Sequence, residues 1–149
     1  MAENARPTTT RRFGYVIAII INAAVLVVVN NLLEWGWISW LTDDFEEVLP
    51  LLNLSLTATI LVNVIYLAYD AEWFKSACEL GLLAVSLAVT IRMYQVFPFD
   101  FSAYDANWDT LARLVLVFAM VGVAIAMIVQ LVKLVRIAIA AGASEQPSH

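Results

Sequence analysis

Four long apolar runs separated by short polar links dominate the chain, over residues 13–33, 48–69, 77–97 and 111–135. Each is too long to be confused with a buried strand, and none keeps the strict alternation of a half-buried one. At 1.5 Å per residue, a helix of about 20 residues covers a hydrocarbon layer roughly 30 Å thick. The pattern therefore predicts four transmembrane helices. The first run also continues well past the roughly 7 to 15 apolar residues of a cleavable signal peptide, so it is expected to remain as a span.

The links 34–47, 70–76 and 98–110 are short enough to make neighbours in sequence antiparallel neighbours in space. The expected fold class is all-α: a polytopic membrane protein built as an antiparallel up-down four-helix transmembrane bundle over residues 13–138. Tails are expected over 1–12 and 139–149. Residues 1–10 and 143–149 are polar or small, have nothing to bury, and are expected to fray.

Charge gives this bundle a direction. Arg6, Arg11 and Arg12 precede the first span, Lys75 lies between the second and third, and Lys133 and Arg136 close the fourth. The other side carries Glu34, Asp43, Asp44, Glu46, Glu47, Asp100, Asp105 and Asp109 against only Arg92 and Arg113. The positive-inside bias puts both termini in the cytoplasm and the acidic loops outside, with the plasma (inner) membrane as the expected location. Aromatic residues fall at the same two depths. Trp35, Trp37, Trp40, Tyr94, Phe97, Phe99, Phe101, Tyr104 and Trp108 mark the outer boundary, and Phe13, Tyr15, Tyr66, Tyr69 and Trp73 the inner one.

Composition narrows the partners. With 62% hydrophobic and 14% charged residues, against about a quarter charged in a typical soluble domain, the chain needs a lipid bilayer around it. The eight Lys and Arg form no basic stripe, and the net charge is −5, so nucleic acid is not an expected partner. A membrane-protein partner or a homo-oligomer remains compatible with the pattern.

Candidate chemistry is sparse. Cys78 is the single cysteine, which rules out an internal disulfide or a paired-cysteine metal site, and the single histidine, His149, is the last residue. No HExxH, GxSxG or P-loop motif occurs. No enzyme activity, catalytic residue, cofactor or metal is expected. Asp43, Asp44, Glu46 and Glu47 crowd together, and two readings stand for them. One is helix capping, with Asp43 and Glu46 at capping-box spacing and the acids favoured by the positive end of the second helix's dipole; Asp70 with Glu72, and Asp105 with Asp109, repeat the arrangement. The other is a calcium-type site, although the loop lacks the alternating ligands and central glycine of an EF-hand.

Arg92 is the most informative position, because a charge inside a span is costly unless it is paired or reaches the interface. Counting residues puts it roughly 5 to 8 Å below the outer edge. Asn30, Asn31, Glu34, Asn53, Gln95 and Arg113 lie at similar depths, which defines a candidate outer polar network of Glu34, Arg92, Asn30, Asn53, Gln95 and Arg113. Its centre is expected to be a Glu34–Arg92 ion pair completed by Asn30 and Asn53. The competing reading has Arg92 snorkel to lipid phosphate or Asp100. Arg113 has a local alternative in Asp109, four residues earlier.

Deeper polar residues are Asn22, Ser55, Thr57, Thr59, Asn63, Ser86, Thr90 and Gln130. Ser55, Thr59 and Asn63 share one face and are expected to hold helices together, with a solute path as the alternative. Gly122 and Ala126 make a small-residue pair suited to close helix contact. A voltage sensor is excluded, since the fourth span is uncharged between Arg113 and Lys133.

The segments LTDDFEEVLPLLNLSL (41–56), VIYLAYDAEWFK (64–75) and RMYQVFPFDFS (92–102) resemble those of small, uncharacterised four-helix membrane proteins of bacteria. The resemblance covers most of the chain between the tails and implies a topology; it implies no activity. Two functions then compete. One is a non-enzymatic accessory, scaffold or assembly subunit. The other is a small oligomeric transporter or channel subunit with an outward-facing site around Glu34 and Arg92.

Overall fold

The first helix, α1 (Thr8–Trp35), ends where Gly36 adopts a left-handed conformation with φ of 60°, its N–H bonded back to the Leu33 carbonyl at 3.2 Å. Only glycine takes this conformation at no steric cost, so Gly36 sets the helix end. The computed structural model describes residues 8–105 and 107–144. After a turn, Asp43–Glu47 forms a short 3₁₀ helix that leads into α2 (Leu49–Ala68), followed by α3 (Glu72–Val96) and α4 (Trp108–Ser144). All four are long and apolar enough to cross a membrane, and no strand occurs among the described residues.

Pro50 fixes the start of α2, because its missing N–H matters least in a first helical turn. The acids of 43–47 consequently lie one turn upstream. The expected Asp43–Glu46 capping box is not formed: Thr42 precedes the 3₁₀ helix without a side-chain cap bond, and the first turn of α2 contains no acid. Glu72 and Asp109 do occupy the first turns of α3 and α4, where the dipole favours them.

The helices stand in a row. α1 packs on α2, α2 on α3 and α3 on α4, and among the described residues no packed face joins α1 to α4. Contacts link the start of each helix to the end of the next. Tyr15 meets Tyr66 while Asn30 meets Asn53, and Gln130 meets Glu79 while Arg113 meets Phe97, so neighbours run antiparallel. The row is open where a bundle would close α4 back onto α1. The more covered side chains of α4 include Ala112, Leu116, Met120, Val123, Met127, Gln130 and Leu134, which recur at the spacing of a single helix face. Phe118, Ile125 and Ile128 stand exposed on the rest of α4, as do Phe13, Ile20 and Val27 on α1.

Burial concentrates towards the two ends of the helix axes. Phe45, Val48 and Pro98 are buried at the acidic end, and Asn63, Tyr66 and Ser76 at the basic end. The acidic end is tied by backbone bonds between its two loops: Thr42 N–H to Pro98 O at 2.8 Å, Asp100 N–H to Trp40 O at 2.7 Å, and a single bridge pairing Leu41 with Phe99. Helix begins at Thr8 and runs to Ser144, and so extends into the stretches 1–12 and 139–149 expected as tails. The alanine-rich stretch 138–143 extends α4, alanine being the best helix former. Residues 1–7 and 145–149, with Arg6 and His149, lie outside the described residues.

Candidate functional site

Of the six residues of the expected outer polar network, Asn30 and Asn53 meet each other. Asn30 Nδ2 donates to Asn53 Oδ1 at 2.7 Å and Asn53 Nδ2 returns a bond to Asn30 Oδ1 at 2.9 Å, joining α1 to α2. A carboxamide pair satisfies itself in this way because each group carries both a donor and an acceptor. Arg92 does pair with a carboxylate, but with Glu47: Nη2 lies 3.0 Å from Oε2. Glu34 is exposed and makes no ion pair or hydrogen bond through its side chain among the described residues. The row explains the change of partner. α2 stands between α1 and α3, so the acid nearest to Arg92 is the one just before α2.

Gln95 stays outside this centre, exposed and without a side-chain bond among the described residues. Arg113 neither joins the network nor pairs with Asp109; its guanidinium lies over the Phe97 ring at 4.1 Å and the Tyr94 ring at 5.2 Å, tying α4 to the end of α3. Phe97 is placed there by a left-handed backbone, φ 45°, with its N–H bonded to Met93 O at 2.8 Å. The deeper polar residues bond mainly within their own helices. Asn22 donates to Ala18 O, Thr59 to Ser55 O, Asn63 to Thr59 O and Thr90 to Ser86 O, and Asn31 of the outer layer likewise donates to Val27 O. The Ser55, Thr59 and Asn63 face therefore closes on its own backbone and does not bridge helices through these bonds. Gly122 has open space beside it, as a Cβ there would meet nothing within 4 Å.

Set beside known proteins, the chain matches no family model, no curated protein and no solved structure.

The densest polar cluster is at the basic end, where the sequence offers a charge bias, an aromatic belt and Asp70 as a helix cap but no cluster. Asp70, in the turn between α2 and α3, accepts from three sides: Lys75 Nζ at 2.7 Å and Tyr15 OH at 3.1 Å on Oδ1, and Arg11 Nη1 at 3.0 Å on Oδ2. Lys75 also donates to Tyr15 OH at 2.8 Å, and Tyr66 OH donates to the Lys75 carbonyl at 3.2 Å. The hydrogen bond from Lys75, with help from Tyr15 and the Arg11 charge, holds the Asp70 carboxyl below its ordinary range. This arrangement clasps the start of α1 to the α2–α3 turn.

Glu79 was missed. Its Oε2 accepts from Gln130 Nε2 at 2.5 Å, a hydrogen bond between α3 and α4. The signal was a count of depth: Gln130 lies five residues and Glu79 two residues inside the inner ends of their expected spans. Among the described residues no three of His, Cys, Asp and Glu converge as a metal ion would need.

At the acidic end Trp40, Phe97, Phe99, Phe101 and Tyr104 form a connected ring cluster, with Trp35 stacked on Trp37 apart from it. Trp40 contacts Phe99 at 5.5 Å and Phe101 at 5.3 Å between ring centres, and Phe101 contacts Tyr104 at 6.3 Å. Trp40, Phe101, Tyr104 and Trp108 line a cavity of about 300 Å³. Beside it, Asp100 accepts a bond from the Ser102 N–H at 3.0 Å, and hydrogen bonding from Ser102 holds its carboxyl below the ordinary range.

Proposed function

We propose that this chain is a multi-pass protein of the plasma membrane, its four helices crossing the bilayer alternately with both ends in the cytoplasm. Its role is non-enzymatic: an accessory, scaffold or assembly subunit that holds a further membrane helix, from a partner protein or a second copy, against its open row. The support for membrane crossing is the length and apolarity of all four helices, with Arg11, Lys75, Lys133 and Arg136 grouped towards one end and the acidic loops at the other.

The observation that carries the scaffold reading is the hydrogen bonding of the intramembrane polar side chains. A solute path needs such groups to converge around a lumen; here the helices stand in an open row, and Asn22, Asn31, Thr59, Asn63 and Thr90 each spend a donor on a carbonyl of their own helix. Exposed faces of α1 and α4 remain for contact, including the open space at Gly122, where a second backbone can approach closely. Crosslinking in membranes followed by mild-detergent purification tests the reading. A stoichiometric second subunit is expected, and Gly122→Leu should reduce its recovery severalfold. A wild-type chain recovered only as a monomer would sink the proposal, as would vesicle flux abolished by Arg92→Gln.

A further inference from the structure

We propose that the acidic-end loops form an aromatic cage that binds a quaternary ammonium group in the cavity lined by Trp40, Phe101, Tyr104 and Trp108. The cage is built before any ligand arrives. Trp40 is fixed by the Asp100 N–H bond to its carbonyl and by the Leu41–Phe99 bridge beside it. Tyr104 is held by a hydrogen bond of 3.2 Å between its hydroxyl and that of Ser39, and by the edge of Phe101. Trp108 opens α4 and so moves with a long helix. Rings that serve only as interfacial anchors need a depth in the bilayer; these four also border a common open-sided cavity.

Charge selects the ligand. Loop 98–110 carries Asp100, Asp105 and Asp109, each next to an aromatic residue, and has no Lys, Arg or His; loop 36–47 is likewise acidic without a basic residue. Arg92 is held by Glu47 and Arg113 lies over Phe97, so the acids left around rings whose faces are themselves electron-rich favour a cation. No carboxylate lines the cavity and the Tyr104 hydroxyl is already engaged by Ser39, so a metal ion or primary ammonium would lose more water than this lining replaces. A quaternary ammonium has no N–H to satisfy and sheds water cheaply, which suits it to aromatic faces. The group can come from a free solute such as choline or from a phosphatidylcholine headgroup.

Saturation-transfer NMR on the ligand's N-methyl protons tests this with the full chain in maltoside micelles. Choline and tetramethylammonium should bind saturably, and the neutral isostere 3,3-dimethylbutanol should bind about tenfold more weakly or less. Trp108→Leu should weaken choline by about tenfold, and Trp37→Leu, which alters an exposed ring outside the cage, should leave it unchanged. Comparison of nanodiscs identifies the source: a choline signal lost in phosphatidylcholine but kept in phosphatidylglycerol assigns the cage to lipid headgroups, and a signal kept in both assigns it to free solute. Equal binding of the isostere by the wild type, or no saturable signal, overturns the proposal.

Discussion

Arg92 shows what a single position does and does not disclose. Its depth in an apolar run announced that it needed a counter-charge, because an unpaired guanidinium in hydrocarbon is costly. Which acid would supply it depended on lateral order, and the residue count that placed Glu34 at the right depth contained no such information. Glu47 wins because it immediately precedes the neighbouring helix. Both partners are substantially exposed, at 39% and 57%, so the pair is worth about 0.2–1 kcal/mol. A double-mutant cycle of Arg92→Gln and Glu47→Gln, read from reversible unfolding in micelles, should return a coupling of that size. Arg92→Gln with Glu34→Gln should be additive; coupling in the second cycle instead of the first would restore the pairing expected from depth. Asp70 gives a pH-dependent counterpart. Its folded carboxyl titrates below the ordinary 3.8, so its stabilisation is complete above that value and disappears as pH falls through the depressed one. Asp70→Asn should therefore destabilise the protein at pH 7 by about 1 kcal/mol or less, the carboxylate being partly solvated, and the gap to wild type should close below about pH 3.8. A gap unchanged down to pH 3 would show that the clasp does not depend on ionisation.

Elements were the most legible level, since an uninterrupted apolar run of more than 20 residues leaves the backbone no better way to satisfy its polar groups than a helix. Their ends were less legible. Acids near a helix start suggested capping over 43–47, but Pro50 moved the start of α2 beyond their reach and left them in a 3₁₀ helix. Phe97 was read only as a belt aromatic, and nothing in its side chain announces a left-handed φ of 45°, a conformation that ordinarily falls to glycine. The two glycines Gly36 and Gly122 separate conformation from space. Neither has a neighbour within 4 Å of a built Cβ, so any effect of alanine at either site comes from the backbone. At Gly36, with φ of 60°, Gly36→Ala should destabilise by about 1 kcal/mol through left-handed strain. Within the regular helix at Gly122, Gly122→Ala should be neutral or stabilise by up to about 1 kcal/mol when the chain is monomeric. Equal effects at the two positions would mean that Gly36 is not what ends α1.

At the scale of the whole molecule, the count of helices and their alternation followed from hydropathy and link length, whereas their arrangement in an open row did not. Lipid tails solvate an apolar helix face about as well as another helix does, so an apolar pattern that demands burial in water demands no particular neighbour in a bilayer. The informative contacts are polar and few: Asn30 with Asn53, Arg92 with Glu47, Glu79 with Gln130, and the Asp70 clasp. They separate into an acidic end and a basic end, and that separation makes the orientation testable. In a Cys78→Ser background, Asp43→Cys and Asp100→Cys should react with a membrane-impermeant maleimide on intact cells, because both positions lie in exposed parts of the acidic-end loops. Glu72→Cys, at the exposed start of α3 beside the clasp, should react only after the cells are lysed. Reaction of the first two only after lysis, with residue 72 open from outside, would invert the topology and move the aromatic cage to the cytoplasmic face, where a headgroup from the outer leaflet could not reach it.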